Sequence, residues 1–554
     1  MSNAAPAASA PESSAGIARS SALMASGTII SRVTGVVRTS AIAAAIGFAT
    51  FADTYTIANS LPNIVYILIV GGAINSVFVP QLVRHMKSDT DGGDGYADRL
   101  LTLVGLVLLA VTAAAIVLAP WIVRLYSPRN WTAADLHVSI LFAYFLLPQI
   151  FFYGMYTMLQ QVLNARGSFG APMFAPIINN IVVIGAAIAF IVVVGTSPTS
   201  ASVANSQIML LGALTTVGVI AQAVVLVPSA WRVGYRFRPR FDFKGQGLAK
   251  AGSLAFWTIG FVAINQVTLL IVTRLAAAAN VVLTTHGGVN VGFTSYQNAY
   301  LTFILPHSVI TVSLITALLP ALSRAAHALD FEVIRTRIAS AMSIVIVMLT
   351  PLSAMLFVQG PRISQLLFAR GSASIEEAIY TGHVLQAFVV GLVPFSLYYV
   401  LLRGYYSLEN TKTPFYLTLG LNITNLAIAI PLYYAVPAQD KVMVLALAFA
   451  LAYVVFLVVS WRMFSRRIGG LHTYYTVRTL VRTTIATVFC FFATAATLHY
   501  MLMVLPGGFF GIFIDLAVAT TVGTVAFIAV GWVLHISEVR RLPGQLSRVK
   551  ARLT

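Results

Sequence analysis

Runs of about twenty apolar residues recur along this chain with almost no charge inside them, and this feature limits its possible folds more than any other. The hydrocarbon core of a bilayer is crossed by about 20 apolar residues of helix. Fourteen runs reach that length, from 18–46 and 54–83 through 338–358 and 378–406 to 479–504 and 510–535. Composition agrees: 58% of residues are hydrophobic and only 9% charged, with mean hydropathy +0.87. Soluble domains carry about 25% charged residues. The expected fold class is therefore an all-α polytopic membrane protein of 14 transmembrane helices. Residues 1–16, MSNAAPAASAPESSAG, read as a flexible tail without the basic start and short apolar core of a cleaved signal. The first run is thus expected to remain as a helix. A single cysteine, Cys490, leaves no intrachain disulfide and no multi-cysteine metal site.

The basic residues orient these crossings. Of 34 Lys and Arg, 26 fall in loops or tails on the side of the N-terminus and 5 on the opposite side. The remaining 3, Arg32, Arg38 and Arg274, lie within apolar runs. Positive charge is retained in the cytoplasm, so both termini are expected there. The net charge of +18 then reflects topology and contact with anionic lipids. A nucleic-acid partner is excluded on the same ground, because no basic domain stands outside the membrane.

Two short patterns repeat about 240 residues apart. VPQLVR (79–84) matches LPALSR (319–324), and APMFAPIINN (171–180) matches TPFYLTLGLN (413–422), each of the latter pair with Asn at its end, Asn180 and Asn422. Such a repeat implies two six-helix lobes around a central cavity, a transporter architecture, with two extra C-terminal helices. The expected organisation is a tail at 1–17, an N-lobe at 18–231, a basic linker at 232–249, a C-lobe at 250–466, the extra helices at 467–538 and a basic tail at 539–554.

A charge inside a membrane helix is costly and is normally paired, hydrated or functional. Nearly all sixteen acids fall in loops or at helix ends, and none lies deep in the second lobe. The three intramembrane arginines therefore outnumber local carboxylates. One reading has each arginine reaching an interface or a helix carbonyl. The other has them lining a watery cavity that awaits an anion, and the planar guanidinium fork suits phosphate. Arg32 and Arg38 stand about 120° apart around an ideal helix and about 9 Å apart along it. Only a broad cavity or a bent helix lets both face it. Asn179, Asn180, Asn422 and Asn425 are expected to bond between helices.

Other chemistry finds no support. DTDGGDG (89–95) lacks the spacing and final Glu of a calcium loop and reads as a solvated turn. The histidines show no metal-ligand spacing, and no G-x-x-x-x-G-K-[ST] stretch is present for nucleotide. No cofactor and no metal are expected. A membrane transferase would need clustered carboxylates, so the chain reads as a transporter and not an enzyme.

SRVTGVVRTSAIAAAIG, ADTYTIANSLPN, GGAINSVFVPQL, ITALLPALSR, LLFARGS and GYYSLENTKTP follow one another in the order and spacing of one family. Over about residues 20–540 the chain resembles the MurJ (MviN) lipid II flippases of the multidrug/oligosaccharidyl-lipid/polysaccharide exporter superfamily. The resemblance implies alternating-access transport of the undecaprenyl-pyrophosphate-linked peptidoglycan precursor from inner to outer leaflet. It places the family's helix-1 arginines on Arg32 and Arg38 and its helix-2 acid on Asp53. The last two helices would form a groove for the lipid tail. Ser31 and Asn63, polar neighbours within these motifs, join Arg32, Arg38, Asp53 and Arg274 as expected cavity residues. Lipid II and membrane lipids are the implied partners, with cell-wall synthesis proteins beside them.

The chain departs from the family at Thr39, at Tyr66 and Ile67, and at Leu301, where charged residues are common. Arg274 is the expected replacement for the lost charge. An inside-negative potential would hold an empty arginine-lined cavity inward, and a bound pyrophosphate would release it. Three competing readings are an exporter of another prenyl-pyrophosphate glycan, a cationic-drug exporter and a non-transporting cell-wall scaffold. A drug exporter would want cavity acids, which the sequence does not offer.

Overall fold

A computed structural model describes residues 14–70, 91–242, 251–285, 288–505 and 508–540 of the chain. These residues form helices joined by short turns. The first six are α1 (Ser14–Ile46), α2 (Thr50–Val70), α3 (Asp94–Val117), α4 (Ala133–Ala165), α5 (Gly170–Val194) and α6 (Asn205–Arg232). The next six are α7 (Ala251–Thr285), α8 (Phe293–His327), α9 (Phe331–Phe368), α10 (Ile375–Val389 and Leu392–Ser407), α11 (Lys412–Ala435) and α12 (Lys441–Arg467). α13 (Thr473–Val504) and α14 (Phe509–Val533) complete the chain. α1–α6 and α7–α12 form two lobes around a central cavity, and α13 and α14 pack on each other and on α9.

Among the described residues, 12 helices are long and apolar enough to cross a bilayer, and the two arms of α10 make a thirteenth crossing. α2 is described over 21 residues, and the rest of its expected run, 71–83, lies outside the described residues. So do the first repeat segment VPQLVR, the motif GGAINSVFVPQL, most of the N-terminal tail and most of the basic C-terminal tail. The count of fourteen therefore rests on α2. The chain is a multi-pass membrane protein.

The run 378–406 reads as one helix, but the structure breaks it by 47° at 390–391. Pro394 explains the break, because its ring removes one backbone donor and collides with the carbonyl of residue 390. Gly391 fits the corner closely: a Cβ there would lie 2.8 Å from the Ala450 Cα. α9 is much longer than the run 338–358, at 38 residues, where a crossing needs about 20.

The two repeat asparagines occupy matching places. Asn180 of α5 donates to the Ser31 carbonyl (3.2 Å) and to Thr34 Oγ1 (2.9 Å) of α1. Asn422 of α11 donates to Asn265 Oδ1 of α7 (3.2 Å). In each lobe the fifth helix is thus tied to the first by a carboxamide, the interhelical use of a polar group favoured in lipid.

The start of the linker is strapped to α3. Tyr235 Oη donates to Asp98 Oδ1 (2.8 Å), the Arg238 amide donates to the same oxygen (3.1 Å), and Arg99 donates to Asp242 Oδ2 (2.8 Å). Burial, with Asp98 beside it, pushes the Tyr235 phenol far above its usual range. Arg166 pairs with Asp94 and stacks on the Tyr235 ring at 5.0 Å. At the same end Asp91 accepts from the Gly93 and Gly95 amides (3.0 and 2.8 Å), making the described part of DTDGGDG a turn that starts α3.

The α9–α10 crossing depends on Gly382. A Cβ there would lie 2.3 Å from Pro361 Cα and 2.6 Å from the Gly360 carbonyl oxygen, both backbone atoms. Gly382→Ala should destabilise the folded protein by about 1–3 kcal/mol through overpacking, seen as a lower thermal midpoint in detergent. Gly185→Ala, where nothing lies within 4 Å of the added carbon, should leave the midpoint unchanged or slightly raised.

Candidate functional site

α1 is one continuous helix, so positions 31, 32, 35, 38 and 39 follow the helical period. All five positions line one cavity of about 390 Å³ between the lobes, facing Asn179 and Asn180 of α5 and Asn298, Leu301 and Leu305 of α8. At 100° per residue, Arg32 and Arg38 fall on either side of Gly35, each about 60° from it. No bend is needed. Gly35 at the middle of this arc carries no side chain, and the cavity is broad enough to take both guanidiniums. Ile29, Ile30, Val33 and Val37 are exposed on α1.

A second cavity of about 290 Å³ continues from the first and shares Arg38, Thr39, Asn179, Asn298 and Leu301 with it. Its wall is rich in neutral polar groups: Asn59, Asn63, Gln149, Gln297, Tyr55 and Tyr153. Neither cavity has an aspartate or glutamate among its lining residues. The result is two arginines at the wider part and a deeper region of carboxamides and phenols. Cations suit phosphate, and carboxamides offer paired donors and acceptors to hydroxyl and amide groups.

The deep cavity ends where the lobes meet. Asp53 of α2 is fully buried there. Its Oδ1 accepts from the Thr294 amide and hydroxyl, both at 2.7 Å, and its Oδ2 accepts from Asn280 Nδ2 at 2.9 Å. Asn280 also donates to the Phe48 carbonyl (2.9 Å). Gly292, at the N-cap of α8, has no side chain to satisfy the first amides of that helix. The Asp53 carboxylate supplies the cap from the other lobe, where the helix dipole also favours an anion. A second clasp lies beside it. The Ser372 amide donates to the Ala44 carbonyl (2.8 Å) and its hydroxyl to the Ala45 carbonyl (3.0 Å). Gly47 and Gly371, both at positive φ, allow this close approach.

The sequence-derived residues therefore separate. Ser31, Arg32, Arg38 and Asn63 line the cavities. Asp53 does not: it belongs to the clasp. Arg274 does not either. It points toward the short helix Ala119–Tyr126 that follows α3, where its Nη1 donates to the Leu125 carbonyl at 2.9 Å, the carbonyl-capping role that sequence reasoning weighed for an isolated arginine. It is not among the residues that line either cavity. Leu301 does face both cavities, while Tyr66 is turned to Thr157, donating at 2.8 Å. Asn179 lines both cavities, with a buried Oδ1 that has no hydrogen-bond partner. Sequence reasoning missed Asn59, Gln149, Gln297 and Asn298, although a carboxamide in an apolar run was a usable signal.

The chain is similar to several known proteins. The family described as lipid II flippase MurJ matches residues 42–537. The probable lipid II flippase MurJ of Rhizobium meliloti (strain 1021) is 28% identical over 424 residues, 74% of each chain. The lipid II flippase MurJ of Burkholderia cenocepacia is 26% identical over 402 residues, 72% of this chain and 74% of that one. Among solved structures, a lipid II flippase MurJ in an inward closed conformation aligns with TM-score 0.69 at 18% identity. It covers 94% of this chain and 99% of its own. An inward-facing multidrug-resistance MATE transporter aligns with TM-score 0.61 at 13% identity, over 81% of this chain and 98% of its own.

The clasp gives a direct expectation. A Cβ at Gly292 would lie 2.1 Å from Asp53 Oδ2 and 2.7 Å from Asn280. Gly292→Ala should therefore separate α2 from α8. In a chain with Cys490 replaced, a cysteine at Ser60 in the deep cavity should react several-fold faster with an impermeant thiol reagent added at the clasp end. An unchanged rate would show that the clasp does not close this cavity.

Proposed function

The chain belongs to the lipid II flippase MurJ family, and on that premise we propose that it carries lipid II across the bacterial inner membrane by alternating access. The observation that carries this reading is the cavity itself: Arg32 and Arg38 converge on one space whose lining holds no carboxylate. Two guanidiniums that have no carboxylate partner among the described residues make half of an ion pair, and a pyrophosphate is the matching half. The carboxamide-lined depth beyond Arg38 takes the sugar and peptide groups, whose hydroxyls and amides it can satisfy. A cationic drug would meet only repulsion there.

Both termini lie in the cytoplasm, on the strength of the 26 to 5 bias of basic residues. The clasp of Asp53 with Asn280 and Thr294 is then at the outer face, and the cavity is held shut on that side. Substrate enters from the inner leaflet, and outward opening requires the clasp to part. The six-helix units at 18–231 and 250–466 move as the two lobes, with 232–249 as the connection. The pair at 467–538 offers its exposed apolar surface, including Phe489, Phe492, Phe510 and Phe513, to the prenyl tail.

Transport is coupled to the membrane potential through the same arginines. Each charge moved through 100 mV is worth about 2.3 kcal/mol, which draws the empty cationic cavity inward. A bound pyrophosphate cancels this pull and permits outward opening.

Depletion of the protein should cause lipid II to accumulate on the cytoplasmic leaflet; accumulation of another prenyl-linked glycan would replace this reading. Arg32→Ala and Arg38→Ala should each fail to restore growth at normal protein abundance. A lost charged hydrogen bond costs about 1.5–3 kcal/mol, or about 10- to 150-fold in substrate affinity. Arg274→Ala should complement, since its contact is with the Leu125 carbonyl. Flipping measured by access of an external probe to lipid II should stop when an ionophore collapses the potential.

A further inference from the structure

Between the start of the linker, residues 235–238, and the ends of α3, α4 and α6 lies a cavity of about 710 Å³. It shares no lining residue with the two central cavities. Its floor is apolar and buried, with Leu101 of α3, Leu159 of α4 and Ala230 of α6. Its rim is exposed and carries Trp231, Arg236 and Arg238. Leu101, Leu159 and Trp231 stand 7, 6 and 1 residues from the linker-side ends of their helices. The cavity therefore lies within about 11 Å of those ends, at the level where a bilayer passes from acyl chain to headgroup.

The acids of this region are all engaged. Asp91 accepts from the amides of its own turn, Asp94 pairs with Arg166, Asp98 accepts from Tyr235 and the Arg238 amide, and Asp242 accepts from Arg99. Among the described residues no carboxylate pairs with the guanidinium of Arg236 or Arg238. Two cations thus stand unneutralised at the mouth of an apolar hollow, beside a tryptophan of the kind that settles at headgroup level. A small soluble anion would match the rim and leave the floor empty. A peptide would bring backbone amides that the floor cannot satisfy. A phospholipid matches both parts, because its phosphate and its acyl chain follow each other in that order.

We propose that this cavity binds one anionic glycerophospholipid of the inner leaflet. The phosphate sits on Arg236 and Arg238, whose planar forks suit it, and the upper part of an acyl chain lies against Leu101, Leu159 and Ala230. The lipid fills the space under the linker and ties its start to three helices of the N-lobe. The inner-leaflet assignment follows from the basic bias that puts these helix ends in the cytoplasm, where the membrane surface is anionic. The site does not depend on which molecule the central cavity carries.

Trp231 makes the test direct, since it lines the cavity and its emission is quenched by a bromine on a lipid chain beside it. The full chain would be placed in phosphatidylcholine nanodiscs holding rising fractions of phosphatidylglycerol brominated on its acyl chains, or of phosphatidylcholine brominated alike. Both leaflets then have one composition, so the result is independent of orientation. The chain has 6 tryptophans, and the share of Trp231 is the emission that Trp231→Phe removes. An arginine beside an anionic headgroup favours it about fivefold. Half-quenching of Trp231 by the brominated phosphatidylglycerol should therefore need a mole fraction about 25-fold lower than by the brominated phosphatidylcholine. Arg236→Gln and Arg238→Gln should each lower this preference about fivefold, and the double variant should abolish it. In the wild-type chain, 1 M salt, with a Debye length of about 3 Å, should weaken it without any substitution. Inorganic phosphate in excess, at matched ionic strength, should leave the quenching intact. Equal quenching by the two lipids overturns the proposal, as does a preference untouched by salt or by the double variant. Relief of quenching by inorganic phosphate overturns it too, and makes the arginines a site for soluble anions.

Discussion

The clasp between Asp53, Thr294 and Asn280 is the interaction on which the arrangement of the lobes depends. It joins a charge to a helix terminus across the interface between two halves of the molecule. An α-helix leaves its first amides unsatisfied, and in an apolar surrounding those amides need an acceptor. α8 starts at Gly292 and cannot cap itself. The missing acceptor comes from α2, so the end of one lobe is completed only when the other lobe is seated against it. Gly47, Gly292 and Gly371 are required there for one reason: backbone and carboxylate come too close for a side chain.

With the lobes held together at that end, the space between them widens in the other direction, and the two arginines acquire their meaning. An arginine in a continuous apolar wall would have to reach water or a carbonyl, and Arg274 does the latter. Arg32 and Arg38 differ because they face a cavity large enough to hydrate them, with Gly35 between them and no carboxylate on its walls. Their free energy is therefore sensitive to what enters. In the proposed cycle, anion binding, the pull of the membrane potential and the opening of the clasp act on the same two charges.

The legible part of the site was its chemistry. Charge in an apolar run is rare enough that Arg32 and Arg38 could be picked out directly, and their spacing stated the condition that a cavity would have to meet. The neutral depth of the cavity was harder to see. Asn179 and Asn180 are adjacent in sequence, yet Asn180 bonds α1 while Asn179 also lines the deep cavity; a helix turns by about 100° per residue, and only the neighbouring helices decide which direction is open. Asp53 looked like a cavity residue because it follows the arginines in a familiar motif, but it sits beyond the cavity floor. The bend of α10 was written in Pro394, although its size depends on how closely Gly391 meets Ala450.

Taken alone, the sequence determined what physical chemistry makes compulsory: helices that cross a bilayer, a basic bias that orients them, an internal repeat, and intramembrane charges awaiting partners. These follow from length, hydropathy and Coulomb energy, which need no knowledge of neighbours. The tertiary structure decided which charge faces which space. Arg32 and Arg38 reach a common cavity, Arg274 reaches a carbonyl, and Asp53 caps a helix of the other lobe. Each outcome depends on which helices pack together and in what register, because in lipid a polar group is defined by the one partner within its reach.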